Sequence, residues 1–176
     1  NLLNAKGVSW GWFHGGFDDC AQTHIGPNGP IVDYFAGLNP FQYYLSTSNQ
    51  EHLPPTSWEM VGKTDQANHL YDLSTFWIAA EQGTIPSVCY IKAPRYQAAH
   101  PQQSSYLLEQ SFLATTINKL QTFPQWKDMA IIITYDDSGG WYDHVMPTLI
   151  NNSQTVHDEL TAPGQAGDNT PYGGYQ

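Results

Sequence analysis

The sequence predicts an α/β fold in which helices cover a mainly parallel sheet, and three observations carry this prediction. Segments with strand and helix patterns alternate along the chain. Residues 129–135 form a continuous apolar run of strand length, which is typical of a parallel strand buried on both faces. The length of 176 residues suits one domain with a substantial core. These features indicate a doubly wound, three-layer α/β/α arrangement.

The first part of the chain combines one predicted strand with long loops. Residues 1–6 have the pattern of a helix end that Gly7 terminates, and residues 8–13 have that of a strand closed by a turn at residues 14–16. Residues 17–64 mix glycine, proline and aromatic residues without a sustained period. We therefore predict long ordered loops with short helical turns there, and loops of that length usually carry function.

The second part of the chain predicts two helices and two strands. A helix is expected over residues 72–82, with Gly83 as its stop, followed by a strand over residues 87–91. Ser105 can cap a second helix over residues 105–121, which leads to the apolar strand at residues 129–135. The segment 151–176 is predicted to be a polar loop or tail.

Composition excludes several classes of protein. Six basic residues against sixteen acidic ones give a net charge of −10, which is incompatible with a basic nucleic-acid-binding surface. The 14% of aromatic residues and only 12% of charged residues argue against a disordered acidic chain. No stretch approaches eighteen apolar residues, so the sequence predicts no transmembrane segment.

The predicted topology brings polar residues to the carboxyl edge of the sheet, where ligands bind in open α/β folds. His100 follows the second predicted strand, and Asp136, Asp137, Asp143 and His144 follow the third. The adjacent Asp136 and Asp137 stay ionised together only if a cation or basic groups compensate them. Their oxygen atoms suit Mg²⁺, Ca²⁺ or Mn²⁺, and His144 would also admit Fe or Zn. The alternative is an acidic loop in which one Asp caps a turn and the other is solvated.

The remaining histidines each have a structural alternative. His100 lies in a polar loop and can be a solvated surface residue. His69 precedes a predicted helix, where capping or packing is the favoured role. His24 and His52 lie in loops with no partner evident in the sequence, so we interpret them as surface histidines.

One segment resembles a known family. Residues 135–144, with the sequence Tyr-Asp-Asp-Ser-Gly-Gly-Trp-Tyr-Asp-His, resemble the bacterial phosphoesterase family, which holds phosphatidylcholine-type phospholipases C and related acid phosphatases. The family belongs to the alkaline-phosphatase-like superfamily. The resemblance continues through residues 9–16, 39–44, 52–55, 65–69 and 92–94, in the expected order over nearly the whole chain.

The resemblance implies an assignment of site residues. One divalent metal ion of unknown identity would be held by Asp136 and Asp137, and His100 would contact the phosphoryl group or donate a proton. The candidate substrate-binding residues are Asn39, His69 and His144. Family enzymes use a metal-bound hydroxyl side chain as nucleophile and form a covalent phosphoenzyme. That nucleophile is expected upstream of residue 1.

The resemblance also implies a setting for the chain. Residues 1–176 would form part of a single catalytic domain, with the nucleophile region before them and a further strand after them, in a secreted or periplasmic protein. Two positions depart from the family pattern. Gly37 and Leu38 stand where the family has a histidine before its Asn-Pro-Phe segment, and Gly139 replaces an aspartate.

The leading hypothesis is a metal-dependent phosphoric ester hydrolase of phospholipase C or acid phosphatase type, acting on phosphate esters that include phospholipids. The chain alone is expected to be inactive. A glycoside hydrolase is an alternative, because acidic pairs and many aromatic residues also suit sugar clefts. It needs carboxyl groups about 5 to 9 Å apart, whereas the adjacent Asp136 and Asp137 suit one ion better. A non-catalytic metal-binding remnant is the third hypothesis.

Overall fold

A computed structural model describes residues 2–135 and residue 145. The three helices are α1 (Leu2–Ala5), α2 (Leu73–Gln82) and α3 (Tyr106–Leu120). The five strands are β1 (Trp10–His14), β2 (Thr23–Gly26), β3 (Gly29–Val32), β4 (Leu70–Asp72) and β5 (Val88–Lys92). The described residues also form short 3₁₀ helices at Ala36–Leu38, Pro40–Tyr43, Trp58–Met60, Arg95–Gln97 and Pro124–Asp128.

The main sheet is parallel and has the strand order β4-β1-β5. Strand β1 is central because it pairs with a strand from later in the chain on each side, which requires crossover connections. Helix α2 begins directly after β4 and precedes β5, as expected for a doubly wound arrangement. The predicted α/β class with a mainly parallel sheet is therefore confirmed.

The two faces of this sheet are covered differently. On one face, Phe13 of β1 packs against Tyr71 of β4 and Phe76 of α2, with ring centroids 5.2 and 5.3 Å away. On the other face, Trp12 packs against Phe41 from the loop region at a centroid distance of 5.5 Å. Long loops thus cover one side of the sheet, and this is the side that carries most of the buried polar residues of the region.

Helices α2 and α3 form where the sequence predicts them, and their ends explain why. The side chain of Asp72 accepts a hydrogen bond from the backbone N–H of Ser74 at 2.8 Å, which caps α2. Gly83 ends α2 in the left-handed region at φ 73°, where glycine is favoured. Ser105 caps α3 by accepting from the N–H of Leu108 at 3.3 Å.

Two strand features were not predicted from the sequence. Strands β2 and β3 form an antiparallel hairpin inside the segment predicted as loops, and β4 extends the sheet just before α2. Both are only three or four residues long, so neither shows a detectable alternation of apolar and polar residues. Their existence depends on pairing with residues elsewhere in the chain.

The predicted strand at residues 129–135 is wrong for this structure, which assigns no strand there. Ile132 is 87% exposed, and Ile131 and Ile133 are also exposed. The hydroxyl of Tyr135 donates to Glu109 of α3 at 2.5 Å, so the segment runs alongside a helix. Continuous apolarity predicts a strand only where a neighbouring strand supplies hydrogen bonds, and within residues 2–135 no strand pairs with this segment.

The predicted polar tail at residues 151–176 and the acidic turn after residue 135 lie outside the described residues. Within residues 2–135, none of the helices is both long and apolar enough to cross a lipid bilayer.

Candidate active site

The carboxyl ends of the three parallel strands place three polar residues side by side. His14, the last residue of β1, pairs with Asp72 of β4 on one side and with Lys92 of β5 on the other. The turn after β1, the start of α2 and the loop after β5 all leave the sheet at this edge. Ligands of open α/β sheets bind at this position, so the edge is the candidate site.

His14 lies at the centre of this edge with no solvent exposure. Neither ring nitrogen has a hydrogen-bond partner among the described residues. Burial lowers the pKa of His14 to about 3, and the positive charge of Lys92 contributes to the lowering. The imidazole is therefore neutral at physiological pH, enclosed by the rings of Tyr34 at 4.8 Å and Trp12 at 6.1 Å.

A further buried nitrogen atom on the loop-covered face, the indole nitrogen of Trp12, lacks a partner in the part of the chain that the structure describes. Asn39 is fully buried, and its side-chain oxygen accepts from the N–H of Phe41 at 3.2 Å, which caps the 3₁₀ helix at Pro40–Tyr43. Contact between Asn39 and a substrate requires movement of this loop, and its predicted role stays a prediction.

An open cleft of about 300 Å³ lies at the same edge of the sheet. It is bounded by the turn after β1, the hairpin β2–β3, the start of α2 and the loop after β5. Gly16, at φ +82°, lets the hairpin approach β1, because a Cβ atom there would lie 2.7 Å from the Cβ of Asp33. The side chains in its walls that carry polar or aromatic groups include His24, Asp33, Asp72, Ser74, Trp77 and Tyr96.

His24 and Asp33 form a pair in the wall of this cleft. Nδ1 of His24 lies 2.8 and 2.7 Å from the two carboxylate oxygens of Asp33, which is 2% exposed. The His24 ring stacks on Tyr96 with centroids 4.1 Å apart and an interplanar angle of 14°. His24 is partly exposed, as the surface interpretation implies, but it has a partner that is not evident in the sequence.

The signal that could have revealed this pair is the turn Pro27-Asn28-Gly29. This sequence is typical of a hairpin turn, and it places residue 24 close to residue 33 across the hairpin. The flanking segments are short and show no alternation of apolar and polar residues, so the turn by itself is not enough to predict a hairpin. His52 likewise has partners, since its ring stacks on Phe17 at 4.1 Å.

His69 lies away from the cleft, beneath the sheet's loop-covered face, and is 1% exposed. Its Nδ1 is 2.9 Å from the backbone oxygen of Trp10, its Nε2 is 3.0 Å from the Thr64 hydroxyl, and its ring stacks on the Trp10 indole. Burial lowers its pKa. With both ring nitrogens engaged, His69 has the geometry of a packing residue, and its predicted contact with substrate stays a prediction.

His100 is exposed in the loop after β5 and is not part of the cleft wall. Its Nδ1 donates to the backbone oxygen of Pro101 at 2.8 Å. Its neighbours Ala99 and Gln102 have φ values of 58° and 67°, a conformation that costs energy for residues other than glycine. His100 thus follows β5 in a loop that contributes other residues to the cleft wall, and its role in phosphoryl contact stays a prediction.

The predicted metal ligands Asp136 and Asp137 and the predicted substrate-binding residue His144 lie outside the described residues. Within residues 2–135 and 145, no group of three His, Cys, Asp or Glu side chains is placed to hold a metal ion. The chemistry of the Asp136 and Asp137 side chains fits a hard divalent cation, because both supply carboxylate oxygens.

The parallel sheet, with its cleft at the carboxyl edge, defines an α/β protein of the class that binds ligands at the ends of its strands. Comparison with known proteins identifies the family within this class. The model of the Phosphoesterase family matches residues 1–174, so the chain belongs to that family.

Individual relatives are similar to parts of the chain. A non-hemolytic phospholipase C of Burkholderia pseudomallei (strain K96243) is 33% identical over 189 aligned residues, which cover 97% of this chain and 26% of the relative. Non-specific phospholipase C6 of Arabidopsis thaliana is 32% identical over 103 residues, covering 54% of this chain and 19% of the relative. Non-specific phospholipase C1 of the same plant is 53% identical over 41 residues, covering 23% and 8%. The chain thus spans about a quarter or less of the length of these relatives.

Proposed function

We propose that the complete protein hydrolyses phosphoric esters, phospholipids among them. The observation that carries this proposal is the match to the Phosphoesterase family over residues 1–174. Two relatives that cover half or more of the chain are named phospholipases C, which favours a phospholipid substrate over a small phosphomonoester. The parallel sheet supports the proposal by bringing the loops after β1, β4 and β5 to one edge.

In this proposal Asp136 and Asp137 hold one divalent cation. A bound cation supplies positive charge for the phosphoryl oxygens and lowers the pKa of a hydroxyl group that it binds. The protein needs such a local positive centre, because its net charge of −10 would otherwise repel an anionic substrate. The nucleophile is a hydroxyl side chain that lies outside residues 1–176, and His100 contacts the phosphoryl group or donates a proton.

Two described residues at the carboxyl edge, His14 and Lys92, contribute to the electrostatics of this site. His14 is neutral and fully enclosed, so it adds no charge beside the phosphoryl group. The neighbouring Lys92 is a cation at the same strand end and can attract the phosphoryl oxygens. The charge of Lys92 favours an anionic ligand, and the carboxylates of Asp33 and Asp72 in the cleft make a bound cation the main source of positive charge in this proposal.

The test is hydrolysis of a chromogenic phosphate ester and of a phospholipid by the complete protein and its Asp136→Asn and Asp137→Asn variants. We expect each substitution to reduce kcat by about 100-fold or more, because a bound cation contributes several kcal/mol to transition-state stabilisation. Asp128→Asn is the matched control, since this residue ends the 3₁₀ helix at Pro124–Asp128 and has no role in the proposed cation site. Unchanged turnover in both variants would exclude the metal assignment, and metal binding without turnover in the unmodified protein would indicate a non-catalytic remnant.

We further propose that the protein acts outside the cytoplasm, as a secreted or periplasmic enzyme. Its compositional bias toward Asn, Gln, Thr and aromatic residues and its low lysine content support export. Detection of the protein in culture supernatant or periplasmic extract checks this, and its confinement to the cytoplasmic fraction would contradict it.

A further inference from the structure

We propose that His24 and Asp33 form the proton-transfer pair of the cleft and that His24 protonates the leaving group of the hydrolysed ester. This inference rests on the proposed function, since it assigns a step of that reaction. It is drawn from contacts in the described part of the chain and does not depend on the predicted roles of Asp136 and Asp137. In this assignment His24 donates the proton to the leaving group and His100 contacts the phosphoryl group.

The first observation is that the surrounding structure holds His24 and Asp33 together. The Asp33 carboxylate is almost fully buried, and Nδ1 of His24 is within 2.8 Å of both of its oxygens. Burying a carboxylate is costly unless it is paired, so the His24 ring is its compensating partner. The backbone of Asp33 is also fixed on both sides, with its N–H bonded to Gln22 and its oxygen to the N–H of Arg95.

The second observation is that Nε2 of His24 is available for proton transfer, because the contact with Asp33 uses only Nδ1. Nδ1 donates to the carboxylate in both protonation states of the ring, so Nε2 is the atom that gains or loses a proton. The form that donates a proton is the imidazolium, which carries a proton on each ring nitrogen. Among the described residues no hydrogen bond occupies Nε2 of His24. The side chain is 41% exposed, so a ligand in the cleft can reach it.

The third observation is the orientation of the ring. Stacking on Tyr96, which comes from the loop after β5, fixes the His24 plane in addition to the Asp33 contact. The pair is therefore preorganised at the sheet edge where the ester is expected to bind.

The chemical step is a transfer of one proton. When the phosphorus–oxygen bond to the alcohol breaks, its electron pair stays on the oxygen atom, and the proton on Nε2 of His24 moves to that oxygen. The alcohol leaves as a neutral molecule, and His24 becomes a neutral imidazole that still donates from Nδ1 to Asp33. His24 regains its proton from the water molecule that completes hydrolysis.

A purely structural role is the competing explanation, in which the pair only holds the hairpin β2–β3 in place. The two roles differ in their dependence on the leaving group. An alkyl alcohol needs a proton to leave, whereas 4-nitrophenolate is stable as an anion and leaves without one. A loosened hairpin would impair both substrates to the same extent.

The experiment measures kcat/KM of the complete protein for a 4-nitrophenyl phosphate ester and for an alkyl ester of the same phosphate group. For His24→Gln we expect a loss of about 100-fold or more on the alkyl ester and less than about fivefold on the nitrophenyl ester, since general acid catalysis contributes at least that factor. For Asp33→Asn we expect the same preference with a loss of about tenfold or more on the alkyl ester. Asn28→Ala is the matched control, because it removes a hairpin tether without touching the pair.

Equal losses on the two esters in both variants, or the same pattern in Asn28→Ala, would overturn the assignment of His24 while leaving the proposed hydrolase intact. Absence of activity on either ester in the unmodified protein, with folding verified by circular dichroism, would instead overturn the proposed function and this assignment together. If His24→Gln does not fold, the Asp33→Asn comparison decides by the same ratio of losses.

Discussion

The side chain of His14 is buried in a way that costs folding free energy. Its ring is fully buried and both nitrogens lack partners within the described residues, although a buried unsatisfied polar group costs about 1–3 kcal/mol. The enclosure by Tyr34 and Trp12 keeps water out and holds the ring in its neutral form. An arrangement of this kind at the end of a central strand makes stability depend on pH.

We predict that His14 destabilises the folded state as the pH falls. Its pKa in the folded state is about 3, against 6.5 for an unperturbed histidine, so below pH 6.5 the unfolded chain takes up a proton that the folded chain does not. The free energy of unfolding should therefore decrease by about 1.4 kcal/mol per pH unit between these values. The effect is absent above pH 6.5.

Urea unfolding at pH 7 and pH 4 in the wild type and in His14→Phe measures this contribution. The difference in unfolding free energy between the two pH values should be smaller in the variant by about 3 kcal/mol. The change with pH is the relevant quantity, because Phe also alters packing at both pH values. Parallel pH dependences in the two proteins would show that His14 is not the responsible group.

At the scale of elements, local sequence determined the helices but not the short strands. Helices α2 and α3 have caps and stops that operate within a few residues, namely Asp72 with Gly83 and Ser105. Strand β4 and the hairpin have no such local markers strong enough to identify them, because their hydrogen bonds go to partners that pairing alone selects. The apolar run at residues 129–135 shows the converse, a strand pattern that no strand among the described residues pairs with.

We predict that Ser105→Ala weakens α3. The substitution removes the side-chain oxygen that accepts from the N–H of Leu108, and loss of such a cap costs about 1 kcal/mol. Chemical denaturation measures the change in unfolding free energy. Ser111→Ala, at an exposed position within the same helix, should leave stability equal or slightly higher, because alanine is the better helix former. Equal losses in both variants would argue against the cap.

At the scale of the whole molecule, the parallel sheet is what joins distant segments. β1 lies far from β4 and β5 in the chain, yet its last residue lies between the last residues of those two strands. The cleft draws its walls from four separate segments, so no single motif contains it. Activity of the complete protein is therefore expected to depend on the fold and on the proposed cation together.

We predict that removal of divalent cations abolishes ester hydrolysis by the complete protein. Dialysis against a chelator should reduce activity by about 100-fold or more, and one of Mg²⁺, Ca²⁺, Mn²⁺ or Zn²⁺ should restore it. Metal content is measured by mass spectrometry before and after dialysis, and circular dichroism checks that the fold survives. Full activity in a preparation shown to be free of metal would contradict the proposal.

The sequence by itself determined the α/β class, the positions of α2 and α3, strands β1 and β5, and membership in the phosphoesterase family through motifs along its length. These depend on local periodicity, capping residues and contiguous motifs, all of which are readable along the chain. Only the tertiary structure decided that β1 is central, that His14 is enclosed, and that His24 meets Asp33 in a cleft. Such features arise from contacts between segments far apart in the chain, and the free energy of those contacts is invisible until the segments are packed together.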